Sequence, residues 1–520
     1  MKNKFIYLAI LAAGFASCEP EFENEVDANY TSGDADFTSY VAIGNSLTAG
    51  YMDGTVSRVG QTYSFPNLLA QKFALVGGGA FTQPSYEDDA SNLGGLMLFG
   101  NQIGSTRLVI DISQGRPENL SGTPSIEVSN LQATAYNNMG VPGAKSFHLV
   151  APGYGNLAGV ALGQSNPYFV RHATSPSATV LGDAMTKNPT FFTNWIGAND
   201  VLSYATNGGA KADGVTPAAD HNITGNMNPA TYGANDITNS DYFAGVYSNI
   251  INTLTANGAK GVVATIPSVT SIPYFTTVPY NALPAEATAS NATAIALYQF
   301  LSVATGGRIS PLNTTPGSKN PVLIKDTDLT NISATIQAYA AGSGNPLLMA
   351  NAAALGVIYG QARHATAEDL FVLPSSSIIG QENPAGTAPF NVNGITLPLA
   401  NKWVLTTNEK VKVANATSSY NAAIRSIAAS KGLAVADMNL IMNQLVSGLR
   451  IDDGTIYTAN YFSPTTASSV LFSLDGVHPN PRGYAVIANE IIKVINNHYH
   501  ANIPIYSPAN FPGISIVPSN

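Results

Sequence analysis

A serine stands at position 46, directly after the strand-like run Tyr40-Val41-Ala42-Ile43 and inside the turn-forming block Gly44-Asn45-Ser46-Leu47-Thr48-Ala49-Gly50. Near the other end of the chain stands Asp475-Gly476-Val477-His478-Pro479. Together the two blocks hold a hydroxyl, an imidazole and a carboxylate, the groups that nucleophilic catalysis by serine requires. A serine hydroxyl is a poor nucleophile until an imidazole takes its proton, and the imidazole needs an acceptor on its other nitrogen to fix tautomer and orientation. Asp475 and His478 are three residues apart in a loop that enters a helix at Asn480-Pro481, a turn short enough to direct both side chains to one point.

Something must bring the two ends together. Apolar runs alternate with helix-period segments, the signature of a parallel sheet with crossover helices. The pattern predicts strands over Ser39–Ile43, Thr190–Ile196, Gly261–Ile266 and Leu433–Ala436. From Asp241, the residues Phe243, Val246, Tyr247, Ile250, Ile251 and Leu254 share one helical face, and Asn257-Gly258 ends that helix. A second helix opens at the capping pair Thr406 and Glu409, carries Val413, Tyr420, Ile424 and Ile427, and ends at Gly432. The last begins near Pro481 with Ile487, Ile491, Val494 and Ile495 inward. Ser46 then lies at the carboxyl edge of a parallel sheet, where α/β folds bind ligands. Three stretches break the alternation: 77–135, 203–240 and 274–400. The third holds helical segments at 292–301 and 347–359, and insertions of this length often shape a pocket or lid.

In chain order the polar blocks are Gly44-Asn45-Ser46-Leu47, Asn138-Met139-Gly140-Val141-Pro142-Gly143-Ala144, Gly197-Ala198-Asn199-Asp200 and Asp475-Gly476-Val477-His478. This series resembles the SGNH family of GDSL-type serine hydrolases, lipases and acylhydrolases in which Ser, Gly, Asn and His each come from one block. The resemblance runs from about Tyr40 to Asn497, interrupted by the insertions. It implies an α/β fold, a flavodoxin-like three-layer α/β/α sandwich with a parallel sheet. It also implies Ser46 as nucleophile, His478 as general base and Asp475 as the orienting acid. The oxyanion hole would be the backbone N–H of Ser46, the backbone N–H of Gly143 and the side-chain amide of Asn199. Gly143 permits close backbone approach, and Asn199 can donate to an oxygen that becomes negative. Gly-Ala-Asn-Asp occurs twice, at Gly197 and Gly233; the first follows a buried strand ending in Trp195-Ile196 and is the block expected to act. Where the family name records an Asp before the serine, this chain has Asn45, whose carbonyl oxygen can accept much the same turn-bracing bonds.

Composition narrows the partners. The 520 residues are 45% hydrophobic but only 11% charged, with a net charge of -9, so there is no basic surface for counterion release and nucleic acid is not an expected partner. Lys2 and Lys4 precede an apolar run from Phe5 to Ala13 that is too short to span a bilayer and has the layout of a secretory signal. It leads to Cys18, the sole cysteine. Phe15-Ala16-Ser17-Cys18 resembles a bacterial lipobox, with Phe15 where Leu is usual, which implies a lipid anchor on Cys18. Ordinary cleavage leaving a free thiol is the alternative. Glu19, Glu21, Glu23, Glu25 and Asp27 then read as a solvated acidic tether. The expected organisation is a signal peptide (1–17), the tether (18–36), an SGNH domain in two parts (37–275 and 401–500), an inserted segment (276–400) acting as a possible cap, and a tail (501–520). His148, just past the second block, reads as a solvent-facing or helix-satisfied histidine, with a place lining the cleft as the alternative. His172, His221 and His364 lack a matched ligand spacing, and His498-Tyr499-His500 has no cysteine or acidic cluster beside it, so neither metal nor cofactor is expected.

The sequence thus points to a secreted hydrolase of carboxylic esters, held to the outer membrane by lipid. Its substrate would be a small-molecule or glycan ester, and acetyl removal from polysaccharide is the neighbouring enzymatic alternative. A surface glycan-binding lipoprotein without catalysis is the alternative of another class. The anchor has its own test. In a bacterium that processes lipoproteins, labelled fatty acid should enter the wild-type chain and not Cys18→Ala, which should also leave the membrane fraction; an unlabelled wild type would end the lipoprotein reading.

Overall fold

The computed structural model describes residues 29–289, 291–463 and 465–520; the signal segment and Cys18 lie outside the described residues. Every residue of β1 (Tyr40–Gly44) is buried, as a strand covered on both faces requires. It is flanked in parallel by β2 (Asn138–Gly140) and β3 (Phe191–Trp195), with Gly44 opposite Gly140 on one side and Trp195 on the other. Then follow β4 (Lys260–Ala264) and β5 (Ala434–Ala436), also parallel. The strand order is therefore 2-1-3-4-5, with the reversal of direction at β1. Ligands bind such sheets beyond the strands' carboxyl ends, next to that reversal.

Four of the five strands coincide with the sequence expectation to within two residues at either end. β2 does not follow from periodicity, being three residues long and polar at Asn138. Its pairing is enabled from outside: the Asn138 amide donates to Thr48 O at 3.0 Å. A Cβ on Gly140 would lie 2.3 Å from the amide nitrogen of Ala49, so only glycine lets the turn after β1 sit this close to β2.

The helices that concern the site are α1 (Ser46–Ala49), α2 (Phe65–Phe73), α3 (Asn199–Thr206), α4 (Ser240–Leu254), α5 (Thr407–Ser430), α6 (Met438–Ser447) and α7 (Pro481–His498). On one face of the sheet, α3, α4 and α5 bury Val201, Phe243, Tyr247, Ile250 and Tyr420 against Val41, Ile43, Phe192 and Val263. On the other, α2 and α7 bury Phe65, Leu69, Tyr484, Ile491 and Ile495 against Tyr40, Ala42, Phe191 and Val262. The alternation along β1 and β3 thus feeds two cores. The Thr406/Glu409 capping box is formed, with Thr406 N–H donating to Glu409 at 2.8 Å. In α7, Ile487 and Val494 are only half-buried; the inward face is Tyr484, Ala488, Ile491, Ile492 and Ile495, and the expected pair falls on its flanks.

The 276–400 segment builds a core of its own around Leu297, Leu301, Ile336, Leu355 and Tyr359. Its expected helix over 347–359 is broken at Asn351 into Pro346–Ala350 and Ala352–Tyr359. The segment returns to the sheet domain through Phe371, paired with Val404, and through Leu373, which packs on Gly476. Both ends of the described chain are tied down. Thr31 pairs with Asn502, Ile516–Val517 lies parallel to Ile110–Asp111, and the Tyr506 hydroxyl donates to Leu68 O at 2.8 Å. Among the described residues no helix is long and apolar enough to cross a membrane.

Candidate active site

The chain leaves β1 at Gly44 and turns at once into the single helical turn α1, with Ser46 as its first residue. Asn45 caps that turn: its side-chain oxygen accepts from Leu47 N–H at 3.1 Å, the brace expected of it. Asn480, at the other end of the chain, caps α7 by accepting from Gly483 N–H at 2.9 Å, and this sets where the preceding loop lies. In that loop Ser473 N–H donates to His478 O at 2.7 Å, closing the six residues 473–478 on themselves.

The result is a continuous relay. His478 Nε2 lies 2.8 Å from Ser46 Oγ, and His478 Nδ1 lies 2.9 Å from Asp475 Oδ2. Asp475 Oδ1 accepts from the N–H groups of Val477 and His478, each at 2.8 Å, and Oδ2 also accepts from Gly54 N–H at 3.0 Å. Burial opposes the charge on Asp475, but His478 and these N–H groups outweigh it and hold the carboxyl below its ordinary range. With Asp475 anionic, Nδ1 is the protonated nitrogen and Nε2 is left to accept from the serine. Ser46 Oγ can therefore surrender its proton as it attacks.

Gly143 and Asn199 sit beyond the carboxyl ends of β2 and β3, the two strands flanking β1. Gly143 is exposed and adopts φ +79°, a left-handed conformation that favours glycine. Asn199 opens α3 and donates to Ala144 O at 2.9 Å, which ties its amide to the residue after Gly143 and leaves its second amide hydrogen uncommitted among the described bonds. Asp200, fully buried, accepts from both N–H and Oγ of Ser146 at 2.8 Å and fixes the same loop from below. The second Gly-Ala-Asn-Asp does something else. Asp236 holds His221 Nε2 at 3.0 Å and Gly233 N–H at 2.7 Å, while Asn235 donates to Ala210 O at 2.9 Å, so that copy closes a structural turn.

Sequence reasoning did not single out Tyr51, Asp53 or Gly54. The Tyr51 ring lies 4.5 Å from the His478 ring, and its hydroxyl donates to Gly54 O. Asp53 is buried at φ +53°; its N–H donates to Ser473 Oγ at 3.0 Å and its Oδ1 accepts from Leu474 N–H at 3.0 Å. It thus ties the turn after α1 to the strand of chain leading into Asp475. Asp53-Gly54 reads in sequence as an ordinary turn, because the partners that give it meaning are 420 residues away. Burial, reinforced by Asp475, pushes its carboxyl up to about 7, against Leu474 N–H and Arg107. Of the other histidines, His148 accepts from Lys145 N–H at 3.0 Å and stacks on Tyr154, and His221 is held by Asp236. Among the described residues no group of three His, Cys, Asp or Glu side chains could hold a metal ion.

No family model, curated protein or solved structure matches this chain.

Two measurements probe the surroundings of the relay. In an assay of the ester cleavage expected from the sequence, Asn199→Ala should lower kcat by about 10²- to 10³-fold with little change in KM, the cost of losing one preorganised donor, whereas Asn235→Ala should be tolerated. The reverse pattern, or two harmless changes, would place the donor elsewhere. Asp53 has a folded value of about 7 against an ordinary 3.8, so its contribution to stability is complete below the ordinary value and is lost as pH rises through about 7. Asn tolerates the left-handed backbone, keeps the acceptor for Leu474 and cannot ionise. The melting temperature of Asp53→Asn relative to wild type should therefore rise between about pH 5 and about pH 8; a constant difference would show that Asp53 does not titrate in this range.

Proposed function

We infer that the protein is a serine esterase of the SGNH type, an acylhydrolase that cleaves carboxylic esters through an acyl-enzyme on Ser46. The observation that carries the reading is the unbroken relay from Ser46 Oγ through His478 to Asp475, at 2.8 and 2.9 Å. The strand order 2-1-3-4-5, which is that of flavodoxin-like sheets, and the position of Ser46, Gly143 and Asn199 just after the carboxyl ends of β1, β2 and β3 support it.

In the proposed reaction His478 Nε2 takes the Ser46 proton as Oγ attacks the ester carbonyl carbon. The oxygen that becomes negative is received by the N–H groups of Ser46 and Gly143 and by the Asn199 amide. The imidazolium, stabilised by Asp475, then passes its proton to the departing alkoxide, leaving the acyl group on Ser46. Water enters, His478 takes its proton, and the same steps in reverse release the carboxylic acid. The insertion reaches the loop that carries Asp475 and His478 through Leu373, which packs on Gly476. Export and a lipid on Cys18 would place this chemistry at the bacterial surface.

A glycan-binding role would need no such relay, and a serine-reactive fluorophosphonate separates the two readings. Wild type should be labelled and should cleave nitrophenyl esters. Ser46→Ala should lose labelling and lower kcat by about 10⁶-fold, His478→Ala similarly, and Asp475→Asn by about 10⁴-fold, without unfolding. Equal labelling of Ser46→Ala and wild type would remove the hydrolase reading.

A further inference from the structure

An apolar cavity of about 110 Å³ lies between α6, α7 and the carboxyl ends of β3 and β4, walled by chain neighbours of the relay residues and not by Ser46, Asp475 or His478 themselves. Its walls include Leu47, the residue after Ser46, together with Val477 and Pro479, the two neighbours of His478 in the chain. Trp195 ends β3 at its floor, and Ile441, Met442 and Ile487 close its sides. No lining residue carries a charge, a hydroxyl or an amide side chain. That is unusual in a chain whose loops are dominated by Ser, Thr and Asn. Methionine side chains are adaptable and pack around irregular apolar guests.

We propose that this cavity receives the acyl chain of the ester, and that the enzyme prefers linear aliphatic acyl groups of about four to six carbons over acetyl groups on sugars. The proposal rests on the esterase reading and adds the substrate class to it. Size sets the range, since an apolar cavity of about 150 Å³ takes a six-carbon ring. Polarity sets the chemistry: methylene groups gain by leaving water for these apolar walls, whereas an acetyl group is too short to fill them and a hydroxylated acyl chain would find no hydrogen-bond partner there. Position selects the acyl half of the substrate. The acyl group passes to Ser46 in the first half of the reaction and stays bonded to it until water releases it in the second, so a chain anchored beside α1 contributes to both halves, while the alcohol leaves after the first.

The test is a ratio within each variant, so that any fraction of inactive protein cancels. Nitrophenyl acetate, butyrate, hexanoate and octanoate are compared on wild type, Ile441→Trp and Ile487→Phe. Both isoleucines are half-buried, so a larger ring can enter the cavity without overpacking the core. Wild-type kcat/KM should climb about fourfold per methylene up to hexanoate and then level, the gain expected from burying each group. In both variants the hexanoate-to-acetate ratio should collapse toward one. A second series, acetate esters of lengthening alcohols, should show no such climb on wild type. Variants that keep the wild-type slope, or a climb that follows the alcohol instead, would overturn the acyl pocket while leaving the esterase standing. A wild type that cleaves no ester and takes no fluorophosphonate would bring down both.

Discussion

Ser46 Oγ and His478 Nε2 are separated by 432 residues of chain and by 2.8 Å of space. A hydrogen bond of that length tolerates errors of only a few tenths of an ångström, so everything between must return the chain to the same place. The parallel sheet does the coarse work. β1 delivers Ser46 at its carboxyl end, and α7, packed on the opposite side of the same strand from α4 and α5, delivers His478 at its amino end. The fine work is done by short polar contacts between the two loops: Gly54 on Asp475, Asp53 on Leu474 and Ser473, and Tyr51 against the imidazole.

Two carboxylates, Asp53 buried and Asp475 half-buried, meet in that seam and are handled differently. Asp475 has a cationic partner in prospect and three backbone donors, so its charge is supported. Asp53 has one backbone donor, and burial first, with Asp475 beside it adding to the effect, raises its carboxyl to about 7. Two like charges in one dry region oppose each other's ionisation, and the one with more donors stays ionised. Below about pH 7 Asp53 is protonated and joins the two loops without adding a second negative charge behind His478. The same economy appears across the sheet, where Asp200 is buried beneath the Gly143 loop and spends its acceptors on Ser146.

The duplicated Gly-Ala-Asn-Asp shows how little four residues mean without a place. At Gly197 the motif follows β3 and opens α3 beside Gly143; at Gly233 it folds back on His221 and braces a loop. The difference was visible in what precedes each copy, a buried aromatic strand in one case and a polar run in the other. The inserted segment was visible as a break in alternation, and its helices as local periodicity. Its contact with Gly476 was not, because Leu373 carries no pattern that points to a glycine a hundred residues later.

What the sequence determined by itself is what depends on neighbours in the chain. β1, β3, β4 and β5, the helices with a single apolar face, the capping box at Thr406 and the three-residue spacing of Asp475 and His478 are all local, and local periodicity and capping chemistry are enough to fix them. The Ser, His and Asp of the relay were legible because their short blocks stand in a set order along the chain, each at a strand end or a loop. Only the tertiary structure decided the rest. β2 is a strand because Gly44 and Ala49 lie against it, Asp53 matters because of residues 420 positions away, and the apolar cavity exists only where α6 and α7 fail to fill the space beside α1. Sequence patterns report which side of an element is apolar; the gaps left between packed elements, and the partners found across them, arise only when the elements meet.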